Sequence, residues 1–437
     1  MKITIHRGTH EIGGTLVEVK SENSRILVDA GYPLLLNGKP VDTENVYVWF
    51  PYLYGKFIEQ GILPDVKGLY CWDKPMFNAV IVSHAHIDHY GLLSFINSSI
   101  PVYMSRGTRK IIDISVPFHE EPLYLSNVCE FDMYEPFQIG DFRVMPFLMD
   151  HSAFDAAAFE ISDQEKTIIY TGDFRGHGRK SACLARFIAK AKKGADALLV
   201  EGTILGRRDE EVITEQEFEE LLVKKIEGFK GPVLFQSSTQ NIDRLVSFYR
   251  AAVRLDRIFV IDTYIANILY ELRRLGNNNL PYPSVHYPNI RVLKPSQVML
   301  RFLKRIGKQH FAKRFSVKYI QEDELNRIQY KIIMAVRPSM WENIRSANLQ
   351  NGLFIYSLWS GYRNNDYQKE FEVLLSKTGF SIHELHTGGH ATLSDIKKVL
   401  QELKPKKIIP IHTMAPELLR NLSEQVLLKK DGETFCI

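Results

Sequence analysis

The stretch AVIVSHAHIDHYGLL, residues 79–93, determines how the sequence is interpreted. In it an apolar, strand-like run leads into His84, His86, Asp88 and His89, and a helix is predicted to follow. Alternate residues of an extended segment point to the same side, which places His84 and His86 together. Asp88 and His89 turn towards a neighbouring position at the start of the helix. This loop therefore has ligands for two adjacent cations, as in metal-dependent hydrolases; the alternative is a set of exposed surface histidines without a ligand role.

Two further residues are candidates to complete these sites, because zinc usually takes four ligands. His151 in LMDHSAFDA and Asp173 in IIYTGDF each follow a strand-like run. Loops at strand ends collect at one edge of a sheet, so we expect both residues near the histidine-rich loop. Asp173 is the candidate to bridge both cations.

The composition indicates a folded protein of more than one unit. At 437 residues the chain exceeds one typical core, so two or three units are expected. Hydrophobic residues make up 45% and charged residues 24%, which excludes fibrous and disordered classes, and the net charge of +4 does not indicate a polyanionic partner. The four cysteines form no CxxC pair, and neither a signal peptide nor a membrane span is evident. We therefore expect a cytoplasmic protein without a membrane partner.

The order of predicted elements indicates an α/β architecture. Short β-branched runs such as 80–82 alternate with helical segments such as 107–116 in the first third of the chain, which predicts a sheet layered with helices. From about Leu205 the predicted helices are longer, for example 215–228 and 242–253. This change indicates a separate α/β unit.

In chain order, the motifs resemble those of the metallo-β-lactamase fold family. Asp29 ends an early strand-like run in ILVDAG, the HxHxDH motif follows, and His151 and Asp173 match the lone histidine and the bridging aspartate of the family. Three later residues resemble the additional motifs of the β-CASP nucleases, the branch that includes RNase J and the cleavage-and-polyadenylation endonuclease. These are Glu201 in LLVEGT, His390 in HTGGHA and His412 in IIPIHT.

The resemblance implies an α/β protein with the four-layer αββα metallo-β-lactamase fold, into which an α/β β-CASP domain is inserted. On this basis we assign residues 1–205 to the first part of the metallo-β-lactamase domain, 206–380 to the β-CASP insert and 381–437 to the closing part.

The resemblance also implies two zinc ions, for which manganese or magnesium are the substitutes. One ion is held by His84, His86 and His151, and the other by Asp88, His89 and His412. Asp173 joins both ions, and Asp29 supports the ligands from behind.

Asp88, Asp173, Glu201 and His390 are the catalytic candidates of this implied site. Two close ions deprotonate a bridging water, and the hydroxide is the nucleophile. His390 protonates the departing ribose oxygen if Glu201 orients its imidazole. The alternatives are a buried core histidine at position 390 and an ordinary strand-end carboxylate at position 201.

These roles predict a zinc-dependent ribonuclease that hydrolyses phosphodiester bonds of single-stranded RNA internally, from the 5′ end or both. RNA enzymes of the resembled family carry a histidine at the position of His412, where DNA-repair members usually carry valine. A DNA nuclease and a small-molecule metallo-hydrolase are the alternatives, and the size of the insert argues against a small substrate. An inactive nucleic-acid-binding module is a further alternative, although no ligand is missing. A homodimer is left open and is not indicated.

Turns rich in glycine and serine supply backbone N–H groups that grip a phosphate without reading base sequence. Three such turns are predicted, and the alternative for each is that it only caps a helix. The candidates are Thr387, Gly388 and Gly389; Ser237, Ser238 and Asn241; and Ser360 and Gly361.

Residues 291–330 contain ten Lys or Arg and three acidic residues, interleaved with Phe302, Phe311, Phe315 and Tyr319. Such a segment is typical of a surface that tracks a nucleic-acid backbone and stacks bases. The alternative is an amphipathic helix with a solvated basic face.

Overall fold

The computed structural model describes residues 1–36, 39–41, 54–118, 123–207, 212–276 and 278–437. The chain forms two compact units: a first unit of residues 1–176, 180–210 and 389–437, and an insert unit of residues 177–179 and 211–388. Among the described helices, none combines the length and apolar character that a membrane crossing needs.

The first unit contains two large sheets. Its strands are β1 (Lys2–Arg7), β2 (Leu16–Lys20), β3 (Arg25–Val28), β4 (Leu35–Leu36), β5 (Lys39–Pro40), β6 (Ala79–Ile81), β7 (Val102–Ser105), β8 (Val128–Phe131), β9 (Phe137–Ile139), β10 (Phe142–Leu148), β11 (Ala157–Ser162), β12 (Thr167–Tyr170), β13 (Ala197–Glu201), β21 (Ile408–Ile411) and β22 (Thr434–Cys436). Its helices are α1 (Tyr54–Glu59), α2 (Ile87–Tyr90), α3 (Arg106–Phe118), α4 (Ala182–Lys190) and α13 (Leu393–Leu403). The strand orders are β22-β1-β2-β3-β6-β7-β8 in the first sheet and β21-β13-β12-β11-β10-β9 in the second, and β4 pairs with β5 separately.

The two sheets pack face to face with helices on the outside. Ile3, Val17 and Ile26 of the first sheet share one buried cluster with Phe159 and Leu199 of the second. Helix α3 packs on β7 and β8, while α4 and α13 bury apolar residues against the outer face of the second sheet. Burial of apolar side chains on both faces of each sheet therefore produces four layers. The predicted αββα fold class is confirmed.

Strand direction brings the predicted site residues to one edge of each sheet. β12, β13 and β21 are parallel, and β10 runs in the same direction because β11 is antiparallel to both β10 and β12. In the first sheet β3 is parallel to β6. The predicted residues follow the carboxyl ends of these strands or occupy the last strand position, where loops collect.

The insert unit is built on a seven-stranded sheet whose strands are all parallel. Its strands are β14 (Val233–Gln236), β15 (Ile258–Ile261), β16 (Ile290–Leu293), β17 (Tyr319–Ile320), β18 (Ile332–Ala335), β19 (Leu353–Tyr356) and β20 (Ser381–Glu384), in the order β17-β16-β15-β18-β14-β19-β20. Its helices are α5 (Glu215–Ile226), α6 (Ile242–Arg254), α7 (Thr263–Arg274), α8 (Gln297–Arg305), α9 (Gln309–Lys313), α10 (Glu322–Arg327), α11 (Trp341–Ser346) and α12 (Asp366–Lys377). Central strands such as β14 and β18 are apolar throughout, as expected when helices cover both faces.

The structure differs from the predicted domain boundary near residue 381. Ser381–Glu384 pairs with Leu353–Tyr356 as an edge strand, so the insert unit extends to residue 388 rather than 380. The backbone hydrogen bonds of this short strand are satisfied in the insert sheet, which assigns the segment to that unit.

The insert unit contains a fully buried ion pair. Arg244 Nη2 is 2.9 Å from Glu215 Oε1, and neither side chain is exposed. The Arg244 guanidinium lies 3.9 Å from the centre of the Phe218 ring and donates a hydrogen bond to the carbonyl of Thr387. Ser247 Oγ donates to Glu215 Oε2 at 2.8 Å, so the carboxylate has a second partner.

Arg244→Ala is expected to lower the free energy of unfolding by about 3–5 kcal/mol, because it leaves the Glu215 carboxylate buried without its cation. Urea unfolding of the full chain measures the loss. The matched control is Arg250→Ala, since Arg250 is 57% exposed and pairs with Glu219 at 3.0 Å; it should cost no more than about 1 kcal/mol. Equal losses in the two variants would contradict this account of the pair.

Candidate metal centre

The HxHxDH loop connects β6 to α2. His86 is the residue before α2, with an extended backbone at φ −88° and ψ 143°. Asp88 and His89 follow in the short helix, so the change from strand to helix divides the motif into two pairs. The imidazole of His84 is fully buried, and so is that of His89.

Three histidine nitrogens converge in the first ligand group. Both His84 Nε2 and His151 Nε2 lie 3.1 Å from His86 Nδ1. Nitrogen ligands of a tetrahedral zinc, each ~2.0–2.1 Å from the ion, lie about 3.3 Å from one another, so this spacing suits one cation. Burial lowers the pKa of all three imidazoles, that of His86 to about 4. At neutral pH the rings are therefore uncharged, the form in which histidine binds a metal.

Asp88, His89 and His412 form the second ligand group. Asp88 Oδ2 lies 3.2 Å from His412 Nε2 and 3.8 Å from His89 Nε2. The pKa of Asp88 is lowered because the neighbouring histidines outweigh the effect of burial, so this carboxylate is ionised.

The carboxylate of Asp173 lies between the two groups. Its Oδ2 atom is 3.3 Å from His89 Nε2 and 3.9 Å from His412 Nε2 on one side. On the other side it is 3.9 Å from the Nε2 atoms of His84 and His151. The side chains predicted for the two ions are thus brought together around Asp173.

Two buried polar atoms at this centre test whether a metal fits. Within the described part of the chain, His89 Nε2 and Asp173 Oδ1 make no hydrogen bond. Burial lowers the pKa of His89, but Asp173, Asp29 and Asp88 outweigh it and raise the pKa well above its usual value. A cation bound here replaces the proton and satisfies both atoms. The donor set therefore fits a divalent metal site.

Asp29 holds the second ligand group through the ring nitrogen of His89 that faces away from the other ligands. His89 Nδ1 lies 2.8 Å from Asp29 Oδ2, which directs Nε2 towards Asp173. The Asp29 carboxylate also accepts hydrogen bonds from the N–H of Ser83 at 2.7 Å and from the hydroxyl of Tyr170 at 2.5 Å. Partners of this kind set the orientation of a metal-binding imidazole.

Other ligand rings are held in the same way. His151 Nδ1 donates to the carbonyl of Gly389 at 2.5 Å. Thr203 Oγ1 lies 2.9 Å from His412 Nδ1. In both rings Nδ1 is bound to the protein, and Nε2 faces the other ligands.

Two residues of the centre have a left-handed backbone. Asp29 has φ 59° and His412 has φ 52°, values that are uncommon outside glycine. The N–H of His412 donates to the carbonyl of Gly8 at 2.7 Å, and this bond helps to hold the conformation. Backbone strain at both strand ends accompanies the placement of these side chains.

His390 and Glu201 form a pair beside Asp173. His390 Nδ1 lies 3.2 Å from Glu201 Oε2, and Glu201 Oε1 accepts from the N–H of Phe174 at 2.9 Å. Glu201 is fully buried, whereas the His390 side chain is 30% exposed. Loss of water contacts lowers the pKa of His390, but Glu201 and Asp173 outweigh it and raise the pKa to about 9. The ring therefore holds a proton at neutral pH.

Comparisons with known proteins give a consistent assignment. A model of the beta-lactamase superfamily domain matches residues 68–222. Ribonuclease J of Helicobacter pylori (strain ATCC 700392 / 26695) is 25% identical over 427 residues, which cover 94% of this chain and 56% of that protein. Ribonuclease J of Sinorhizobium meliloti is 21% identical over 368 residues, which cover 82% and 61%. The chain is similar to the metallo-β-lactamase superfamily and, over most of its length, to RNase J-like proteins of the β-CASP branch.

A solved structure has the same fold over the whole length. It is titled as a crystal structure of a protein of unknown function from Enterococcus faecalis V583, and it matches with a TM-score of 0.77 at 22% identity, covering 99% of both chains. The chain spans 56% of the length of the Helicobacter pylori relative.

The phosphate candidates are distributed over both units. Gly389 belongs to the first unit, and the other candidates belong to the insert unit. Asn241 Oδ1 caps α6 by accepting from the N–H of Arg244 at 3.1 Å. Thr387 Oγ1 donates to the carbonyl of Ile213 at 2.5 Å. Ser238 and Ser360 are exposed. A role in phosphate binding stays a prediction for all of them.

Sequence reasoning missed three polar residues of the centre. Ser83 and Tyr170 hold Asp29, and Thr203 contacts His412. Each lies inside a quoted motif, AVIVSHAHIDHYGLL, IIYTGDF or LLVEGT, within three positions of a predicted site residue. Their position near predicted site residues was the one sequence feature that could have indicated them. It was not enough, because tertiary packing decides which partner each hydroxyl contacts.

Gly31→Ala is expected to reduce the metal content of the purified protein, because a Cβ on Gly31 would lie 1.8 Å from the carbonyl oxygen of Asp88. Relief of this overlap requires the backbone that carries the second ligand group to move. Metal analysis by mass spectrometry and thermal unfolding measure the effect. In the control Gly55→Ala the new Cβ meets nothing within 4 Å. Full metal content in the Gly31 variant would contradict the prediction.

Proposed function

We propose that the chain is a ribonuclease that hydrolyses phosphodiester bonds of single-stranded RNA, internally, from the 5′ end or both, with two zinc ions. The observation that carries the proposal is the position of Asp173 Oδ2, 3.3–3.9 Å from histidines of two separate ligand groups. A site of this kind suits displacement at a phosphate, where charge develops on both the attacking and the leaving oxygen.

The proposed ligands of one ion are His84, His86 and His151, those of the other are Asp88, His89 and His412, and Asp173 would contact both. When bound, two such ions activate a water molecule and withdraw negative charge from the phosphate. Manganese or magnesium are the proposed substitutes. Asp29 holds His89 in the orientation that this role needs.

His390 is the proposed general acid. Its Nδ1 atom faces Glu201, so Nε2 is the nitrogen left for the substrate. As the bond between phosphorus and the leaving ribose oxygen breaks, His390 delivers its proton to that oxygen. Glu201 stabilises the protonated ring and fixes its direction, in the manner of a carboxylate that orients a catalytic histidine.

RNA is the proposed substrate because the relatives that match 94% and 82% of this chain carry the name Ribonuclease J. The presence of a histidine at position 412 supports the same choice. We propose that the enzyme acts in the cytoplasm.

The deciding experiment is cleavage of 5′-monophosphorylated and 5′-hydroxyl single-stranded RNA, with matching DNA, by the metal-loaded chain on denaturing gels. Mononucleotides released only from the phosphorylated RNA indicate a 5′ exonuclease, and internal fragments from both RNAs indicate an endonuclease. Cleavage of DNA alone, or of no nucleic acid, would overturn the proposal in favour of a DNA nuclease or a small-molecule hydrolase.

Asp173→Ala is expected to remove bound metal and cleavage together, because both ligand groups lose their shared carboxylate. Metal content and RNA cleavage are measured on the same preparation. Asp323→Ala is the control, since Asp323 is exposed on α10. An unchanged zinc content in the Asp173 variant would reject the bridging role.

His390→Ala is expected to retain the metals and to slow cleavage by roughly 10²–10⁴-fold, the usual contribution of a general acid. Single-turnover cleavage rates and metal content are the two measurements. The exposed His286, changed to alanine, serves as the control histidine. If the His390 variant cleaves at the wild-type rate, the general-acid assignment is wrong.

A further inference from the structure

The insert unit contains a segment with a strong excess of positive charge. Residues 294–318 include eight Lys or Arg and no Asp or Glu, whereas the whole chain carries a net charge of only +4. Helices α8 and α9 lie within this segment. The charge of the segment therefore exceeds that of the complete chain and is concentrated on two short helices and the residues between them.

Four of these cations are available to an outside partner. Arg301 and Lys304 are exposed and lie three residues apart on α8, so they share one face of the helix. Lys308 lies between the helices, and Lys313, also exposed, is the last residue of α9. In the described part of the chain, no carboxylate lies within ion-pair distance of these four side chains.

Arg314, next to Lys313, differs from these four residues because it is paired with a carboxylate. It lies 2.8 Å from Glu271 Oε1 and 4.3 Å from the centre of the Tyr270 ring, so its charge is used inside the unit. Loss of water contacts, Arg314 and Lys308 together lower the pKa of His310. Glu271, the partner of Arg314, acts on this pKa in the opposite direction but does not outweigh them.

Two of the four aromatic residues predicted to stack on bases are buried. Phe311 is 4% exposed and Phe315 is 3% exposed. Tyr319 donates its hydroxyl proton to the carbonyl of Ala312. Base stacking by Phe311 and Phe315 is therefore excluded, because their rings pack inside the unit. The backbone-tracking half of that prediction is unaffected.

We propose that Arg301, Lys304, Lys308 and Lys313 form a surface that binds the phosphate backbone of single-stranded RNA without reading its bases. The proposal rests on the proposed function and adds a contact of the insert unit to it. Cations that are not paired with a carboxylate gain most from phosphates, since binding releases the counterions that the nucleic acid had condensed. The side chains extend over α8, the connection and α9, which suits an extended polyanion.

An anionic membrane is the less favoured partner of the same charges. Helices that bind membrane surfaces insert a broad apolar face. On α8 Leu303 is fully buried, and Phe302 is covered in part by Arg305, whose guanidinium lies 5.4 Å from the ring centre. Val298, at 68%, is the exposed large apolar residue among the described residues of this helix. One side chain offers little surface for insertion into lipid.

The test compares two variants that each lose four positive charges from the insert unit. The first is R301Q/K304Q/K308Q/K313Q. The matched control is K224Q/K225Q/K230Q/K377Q, in which the four lysines are exposed and lie elsewhere in the same unit. Both are made in the metal-loaded His390→Ala chain, so that binding of a labelled single-stranded RNA is measured by fluorescence anisotropy with little cleavage.

The first variant is expected to bind RNA at least about tenfold more weakly than the control at ~0.1 M salt. Its plot of log affinity against log salt should also be less steep, with a slope smaller in magnitude by up to about 3. The double variants R301Q/K304Q and K308Q/K313Q should each show part of the effect, which keeps the test valid if the fourfold variant misfolds. Thermal unfolding identifies misfolding.

Equal affinity and salt slope in the two fourfold variants would overturn the proposal. If the two variants bind RNA equally but only R301Q/K304Q/K308Q/K313Q fails to bind vesicles of phosphatidylcholine and phosphatidylserine, the surface binds a membrane instead. A failure of the proposed function is recognised separately, because the metal-loaded wild-type chain would then bind RNA without cleaving it.

Discussion

Buried negative charge at the strand ends is the constraint on which the first unit depends. Asp29, Asp173 and Glu201 are at most 2% exposed, and together with Asp88 they bring four carboxylates to one place. Buried carboxylates are tolerated only when cations or hydrogen-bond donors surround them. The histidines and hydrogen-bond donors such as Tyr170 supply part of that compensation, and a bound divalent metal would add to it. The chemistry of the site and the stability of the sheet edge thus have the same origin.

Each ligand group depends on residues that never face the metal. Asp150 and Arg175, both fully buried, pair at 3.2 Å and link the loop of His151 to the loop of Asp173. The N–H of Arg175 also donates to the carbonyl of Asp150 at 2.7 Å. Positions next to the ligands therefore determine the distance between the ligands. Substitutions at such positions will affect metal binding without removing a single donor atom.

The local sequence pattern predicted how the HxHxDH loop arranges its side chains, but it did not predict the distant residues that join them. Alternation along a strand gave the shared side of His84 and His86, because that geometry repeats in every extended segment. His412 is 324 residues from Asp88, and its assignment needed the family resemblance. Thr203 and Tyr170 were not found, since the direction of a hydroxyl is decided by packing. The strand at 381–384 was placed in the other unit because the short sequence SIHE does not specify which sheet it joins.

The spread of the ligands along the chain has a consequence for protein synthesis. Asp29 and the HxHxDH loop emerge early, but His390 and His412 are separated from them by the complete insert unit. A partly translated chain can gather three histidines of the loop and still lacks the donors that complete both ligand groups. Both ligand groups are therefore complete only after the whole insert unit has been synthesised.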